Sequence, residues 1–132
     1  MGQAVKDRTH VVVVDDHKMI REGVSRIFRD YGFPDVQTAE SGEKALEIKA
    51  QMPSGDAVAI ITDTEMPGMS GILLTKQIRS NDPQAVIIGM SISPVYKQAL
   101  LAAGADYFLS KEKAFDLPQM TENLLVQRFE NN

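Results

Sequence analysis

Cysteine is absent from the 132-residue chain, which excludes a disulfide framework and any thiolate-based metal or redox site. An excess of basic residues is missing too. Against 18 Asp and Glu stand 14 Lys and Arg, a formal net charge of -4, so the chain lacks the broad positive footprint of a stand-alone nucleic-acid binder. No apolar run reaches the roughly 20 residues of a membrane span. Residues 1–9, Met1 to Thr9, lack the apolar centre that a secretion signal needs. Gly2 is followed by Lys6 where N-myristoylation requires Ser or Thr. The expectation is a soluble, cytoplasmic protein of one domain, large enough for a real core. Its first nine residues read as a flexible tail and residues 10–130 as the domain.

What is present is an alternation of two apolar patterns. His10 to Val14 is a continuous, mostly β-branched run, the mark of a strand covered on both faces in a parallel sheet, and it stops at Asp15-Asp16. Met19, Ile20, Val24, Ile27, Phe28 and Tyr31 then recur at helical spacing, with Asp16 or His17 at the start and Gly32 placed to cap the end. Val36 to Ala39 is a short strand, and Ser41 caps a helix from Gly42 to about Met52 whose Ala45, Leu46 and Ile48 pack inward. The buried-type run Ala57 to Thr62 precedes Asp63. Ser70 caps a helix carrying Ile72, Leu73, Leu74 and Ile78, which ends at Ser80-Asn81-Asp82-Pro83. Ala85 to Met90 is a further strand, Pro94 to Ala103 a helix stopped by Gly104, and Tyr107 to Leu109 a brief strand. Asp116 caps a last helix with Pro118 in its first turn and Met120, Leu124, Leu125 and Phe129 as its stripe. Five strand–helix units in succession imply right-handed crossovers and a parallel sheet with helices on both faces.

In such a sheet the carboxyl ends of all strands share one edge. Asp15, Asp16, Asp63, Ser91 and Lys111 therefore converge there, although they are far apart in sequence. Crowded carboxylates repel one another unless a lysine or a hard divalent cation neutralises them, and an oxygen-only set that leaves room for water suits Mg²⁺. An acid beside Mg²⁺, an ammonium and a hydroxyl is also arranged for phosphoryl transfer. Asp63 would be nucleophile and metal ligand, Asp16 a direct ligand and Asp15 a ligand or water-holder. Lys111 would be the counter-charge and Ser91 a donor to the phosphoryl oxygens. His17 beside the acid pair reads as a surface or capping residue, and His10 as a strand-edge one.

Val13-Val14-Asp15-Asp16-His17, the run Thr62-Asp63-Thr64-Glu65-Met66-Pro67-Gly68-Met69-Ser70-Gly71, Met90-Ser91, Ala103-Gly104-Ala105-Asp106 and Leu109-Ser110-Lys111 together resemble the receiver domain of two-component response regulators. The likeness covers nearly the whole chain in order. It implies a flavodoxin-like (βα)5 doubly wound parallel sheet of strand order 2-1-3-4-5. It further implies that Asp63 accepts a phosphoryl group from the phosphohistidine of a sensor histidine kinase or a phosphotransfer domain, with Mg²⁺ required and the backbone carbonyl of Glu65 among its ligands. In such a domain Ser91 moves toward the phosphoryl group and Phe108 swings into the vacated space, changing a surface made of the fourth helix, fifth strand and fifth helix. That surface is also where a homodimer would form. The chain would be a signalling domain catalysing only its own phosphoryl transfer and slow dephosphorylation, not a metabolic enzyme. Asp15 to Gly23 most resembles regulators with a helix-turn-helix output, so DNA would be reached only through a domain outside this chain. Equally, the protein could stand alone.

The chain departs from the family pattern at three places. Ser91 to Lys111 is slightly short near Ser93-Pro94, Tyr107 stands where a small residue is common, and Glu112 follows Lys111 where Pro is frequent. Three rival readings compete, one of them a degenerate receiver used only as a docking module, which the intact acid, hydroxyl and lysine set disfavours. A haloacid-dehalogenase-type phosphatase shares the Asp, Mg²⁺, hydroxyl and lysine, but it carries its nucleophile after the first strand and its acidic pair late. A dinucleotide-binding Rossmann domain needs Gly-x-Gly-x-x-Gly where this chain has Asp15-Asp16-His17-Lys18.

Overall fold

The β-branched runs become the centre of a five-stranded parallel sheet in a computed structural model that describes residues 2–130. Strands β1 (Thr9–Val14), β2 (Val36–Ala39), β3 (Ala57–Asp63), β4 (Val86–Ser91) and β5 (Tyr107–Ser110) lie in the order β2-β1-β3-β4-β5. Every residue of β3 and β4 is buried, as a strand covered on both faces requires. The side chains alternate between two cores. Val11, Val13, Ala59, Ile61 and Ile88 pack with Phe28, Phe33 and Leu125, while Val12, Val14, Ile60 and Ile87 pack with Ala45, Leu74, Ile78 and Leu100. Helices α2 (Lys18–Tyr31) and α6 (Leu117–Phe129) thus cover one face. The other face is covered by α3 (Gly42–Ala50), α4 (Gly71–Asn81) and α5 (Lys97–Ala102).

Local signals set several boundaries. Gly32 closes α2 in the left-handed conformation, φ 119°, and the hydroxyls of Ser41 and Ser70 accept from the Lys44 and Leu73 amides to start α3 and α4. Register carries the strand ends to the site: Val14 lies beside Ala39 and Thr62, Asp63 beside Met90, and Ser91 beside Ser110.

The N-terminus differs from expectation. Instead of a flexible tail, Gly2–Asp7 is a helix, α1, packed against α6, and β1 begins at Thr9. Val5 is fully buried in the first core, Lys6 pairs with Glu122 at 3.6 Å, and its ammonium lies 4.6 Å from the Tyr31 ring centroid. One valine and a cation–π contact dock a segment too short to show periodicity. Met1 lies outside the described residues.

Other corrections concern helix faces and ends. Met19 is 86% exposed and Ile20 and Leu73 are partly exposed, so the inward stripe of α2 starts only at Val24. The helix expected over Pro94 to Ala103 opens as a 3₁₀ turn, Pro94–Tyr96, capped by Ser93, and leaves α5 only six residues long. Asp116 makes no side-chain cap, because the 3₁₀ segment Lys111–Asp116 runs directly into α6.

Candidate functional site

The five residues expected at the carboxyl edge do meet there. Asp15 and Asp16 follow β1, Asp63 ends β3, Ser91 ends β4 and Lys111 follows β5. The Lys111 ammonium lies 3.0 Å from Asp15 Oδ2 and 3.2 Å from Asp63 Oδ1, bridging two buried acids. The Thr64 amide donates to the same Asp63 oxygen at 2.9 Å. Among the described residues nothing else engages that carboxylate, so Oδ2 remains free. Asp15 is pinned in turn: the His17 amide donates to its Oδ1 at 2.9 Å and Arg21 to its main-chain oxygen at 3.0 Å. His17 stands at the N-cap position of α2, as expected, but makes no side-chain cap hydrogen bond.

Gly71 supports this arrangement from behind. Its amide donates to the Thr64 carbonyl at 3.0 Å, and a Cβ at this position would lie 2.0 Å from the Asp63 main-chain oxygen. Only glycine lets α4 start this close to the end of β3.

Burial, reinforced by the Asp15 carboxylate, pushes the Asp63 carboxyl above its ordinary range against the pull of Lys111 and the Thr64 amide. For Lys111, burial disfavours the charge, but contact with Asp15 and Asp63 outweighs it and raises the ammonium pKa. Three carboxylates (Asp15, Asp16, Asp63) and one ammonium leave a formal charge of -3 + 1 = -2 in the pocket. Among the described residues Asp16 Oδ1 is buried without a hydrogen-bond partner, and Asp15 Oδ2 meets Lys111 as an ion pair rather than a well-directed hydrogen bond. A buried Asp16 oxygen left without a hydrogen bond and two uncompensated charges fit a hard divalent cation.

The mouth is a cleft of about 290 Å³ lined by His17, Ile20, Asp63, Glu65, Ser91, Ile92 and Lys111. Ser91 is buried and its Oγ accepts from the Ser93 amide at 3.2 Å, while Phe108 lies half-buried against the second core, outside the cleft lining. The sequence favours a surface or capping role for His17 over that of a metal ligand or base, yet its ring nitrogen falls in one cluster with Asp15, Asp16 and Asp63. Its adjacency to the acid pair was the available signal. Sequence reading passed over Thr64, whose buried hydroxyl has no hydrogen-bond partner among the described residues.

Fold and site together define a flavodoxin-like α/β domain with an acidic, lysine-braced pocket at the carboxyl edge of its sheet. The chain belongs to the response regulator receiver domain family, whose family model matches residues 11–124. It is 33% identical over 104 residues to the response regulator GacA of Pseudomonas viridiflava, an alignment covering 76% of this chain and 47% of that protein. It is 30% identical over 117 residues to the transcriptional regulatory protein DegU of Brevibacillus brevis, covering 86% and 48%. The chain thus spans about half the length of these relatives. Among solved structures, response regulator TrrA of Thermotoga maritima, in complex with Mg²⁺ and BeF, superposes with a TM-score of 0.78 at 32% identity, covering 88% of this chain and 98% of that one. Membership of this family sets aside the haloacid-dehalogenase and Rossmann readings.

Proposed function

We propose that this receiver domain takes a phosphoryl group onto Asp63 from the phosphohistidine of a sensor histidine kinase or a phosphotransfer domain. The observation that carries the reading is the asymmetric hold on Asp63: Oδ1 is fixed by Lys111 and the Thr64 amide while Oδ2 is free. Oδ2 attacks phosphorus, the P–N bond breaks, and the electron pair leaves with the donor imidazole, which takes up a proton. The Lys111 ammonium, already between the two acids, neutralises charge on the transferring oxygens, and the Ser91 hydroxyl turns to donate to one of them.

Asp16, Asp63, Asp15 directly or through water, and the Glu65 main-chain carbonyl would hold Mg²⁺. When bound it supplies the charge compensation that the pocket's formal -2 demands. A relative solved in complex with Mg²⁺ and BeF supports the choice of Mg²⁺. The domain acts on itself, and Glu65 at the cleft mouth tunes the attack of water on the acyl phosphate.

Phosphorylation adds a charge of roughly -1.5 to -2. Ser91 moves toward it, Phe108 turns inward, and the α5–β5–α6 surface changes for its readers, a second copy among them. Phe108 has no hydroxyl, so its inward state rests on packing. The reading includes a cytoplasmic location, consistent with no helix of the described residues being long and apolar enough to cross a membrane. DNA is reached only through an output domain outside this chain, in keeping with the transcriptional relative.

Incubation with acetyl phosphate and Mg²⁺ followed by intact mass measurement tests the core of this. One phosphoryl adduct is expected, dependent on Mg²⁺ and lost in Asp63→Asn. An adduct that persists in Asp63→Asn, or none with any donor, overturns it.

A further inference from the structure

We propose that His17 contributes an imidazole nitrogen to the cation site and shifts its preference from Mg²⁺ toward imidazole-binding divalent ions such as Ni²⁺ and Co²⁺; the inference rests on the cation site set out above. His17 Nδ1 lies 3.2 Å from Asp15 Oδ1 and 3.3 Å from Asp16 Oδ1. Two ligands at right angles on one ion, each bonded at about 2.1 Å, stand about 3.0 Å apart. Asp15, Asp16, His17 and Asp63 each offer one atom to a group whose members all lie within 4.8 Å of one another. Asp15 Oδ1 already accepts from the His17 amide, but two neighbouring carboxylate oxygens are left with bonding capacity. Among the described residues, the fully buried Asp15 meets only the Lys111 ammonium at Oδ2, as an ion pair, and buried Asp16 Oδ1 has no hydrogen-bond partner.

The ring has little else to do. Its side chain is 68% exposed and, among the described residues, these two carboxylates are its only polar contacts. The backbone amide of His17 donates to Asp15 Oδ1, so the chain holds the ring beside the acids. Oxygen donors alone suit Mg²⁺, whereas imidazole suits later first-row metals. Asp16 and His17 are consecutive, so one bend of the chain delivers an oxygen and a nitrogen to the same ion.

Later first-row metals bind almost any site more tightly than Mg²⁺, so the informative quantity is the change in preference on substitution. Calorimetric titration with Ni²⁺, Co²⁺ and Mg²⁺ is done on the chain, on His17→Ala and on His17→Gln. His10→Gln serves as the background, since the chain's other histidine also sits between acids. Ni²⁺ and Co²⁺ affinity should fall at least about tenfold in both His17 variants and Mg²⁺ affinity stay within about twofold. Pulsed electron paramagnetic resonance of the Mn²⁺ complex in the His10→Gln background should give an imidazole ¹⁴N coupling that vanishes when His17→Ala is added. Unchanged Ni²⁺ affinity and no nitrogen coupling, with Mg²⁺ still bound, overturn the role of His17 alone. Failure of every ion to bind overturns the cation site itself and this inference with it.

Discussion

Lys111 is where the residue-scale energetics of the site concentrate, because a single ammonium faces two buried carboxylates at 3.0 and 3.2 Å. Removing one partner of a buried pair costs more than the pair contributes, since the other charge is left uncompensated. Lys111→Met should therefore destabilise the domain by about 3 kcal/mol in urea without metal, and millimolar Mg²⁺ should recover more stability in this variant than in the parent. An equal Mg²⁺ response in both would contradict that account. His10 sits at the other end of β1, between Asp35 and Asp56. Burial lowers its pKa, but hydrogen bonds to Asp56 and Asp35 outweigh this and hold it above 6.5. A raised folded-state value means the contribution is complete below pH 6.5 and fades as pH climbs through the folded value. Urea midpoints should thus fall from pH 6 to pH 8.5 in the parent, and His10→Gln should flatten the fall by a few tenths to about 1 kcal/mol, the pair being partly exposed. The site acids, Ser91 and Lys111 were legible in sequence because strand-end position alone brings them together. His17 was not, because a ring beside a helix start serves equally well as a surface group until its nitrogen is located.

At the scale of elements, the start of α4 is closely confined, since Gly71 admits it to within contact of the Asp63 main chain. Two effects compete in Gly71→Ala. Alanine favours a helix over glycine by about 1 kcal/mol, whereas a Cβ 2.0 Å from a backbone oxygen forces the whole helix start to shift. Overpacking of about 1–3 kcal/mol or more wins, so the variant should be less stable and, because Asp63 moves with it, slower to accept phosphoryl from acetyl phosphate. A variant as stable and as fast as the parent would mean that α4 yields without disturbing β3. Serine caps and Gly32 made most helix boundaries readable. Helix α1 escaped notice for the opposite reason: Val5 is its one fully buried apolar side chain, and its stability comes from the groove that α6 and Tyr31 provide. Val5→Ala should cost about 2 kcal/mol through lost burial and the cavity left behind, read as a lower urea midpoint with an unchanged slope.

Across the whole molecule the sheet carries function at one edge and a polar clamp at the other. Alternating apolar runs made the topology readable, but the clamp joins residues with no shared pattern. Asp106, just before β5, receives Arg79 from α4 and Arg128 from α6 as well as the Ile87 amide, while both guanidinium groups also donate to the Ala85 carbonyl. Burial opposes the carboxylate charge there, but Arg128, the Ile87 amide and Arg79 outweigh it and hold the carboxyl below its usual range. A depressed value means that the contribution is present above the ordinary carboxylate pKa of 3.8 and is lost as pH falls through the folded value. Asp106→Asn keeps the shape and removes the charge, leaving two partly buried guanidinium groups without their anion. It should lower stability at pH 7 by about 2 kcal/mol, with the deficit narrowing as pH falls below 3.8. Folded Asp106→Asn should still accept phosphoryl at the parental rate, because the run of β4 from Ile87, which binds Asp106, to Met90, beside Asp63, separates the two. A stability deficit that persists unchanged at low pH would assign the clamp to packing rather than charge, and a slowed phosphorylation would mean that the two edges are energetically coupled.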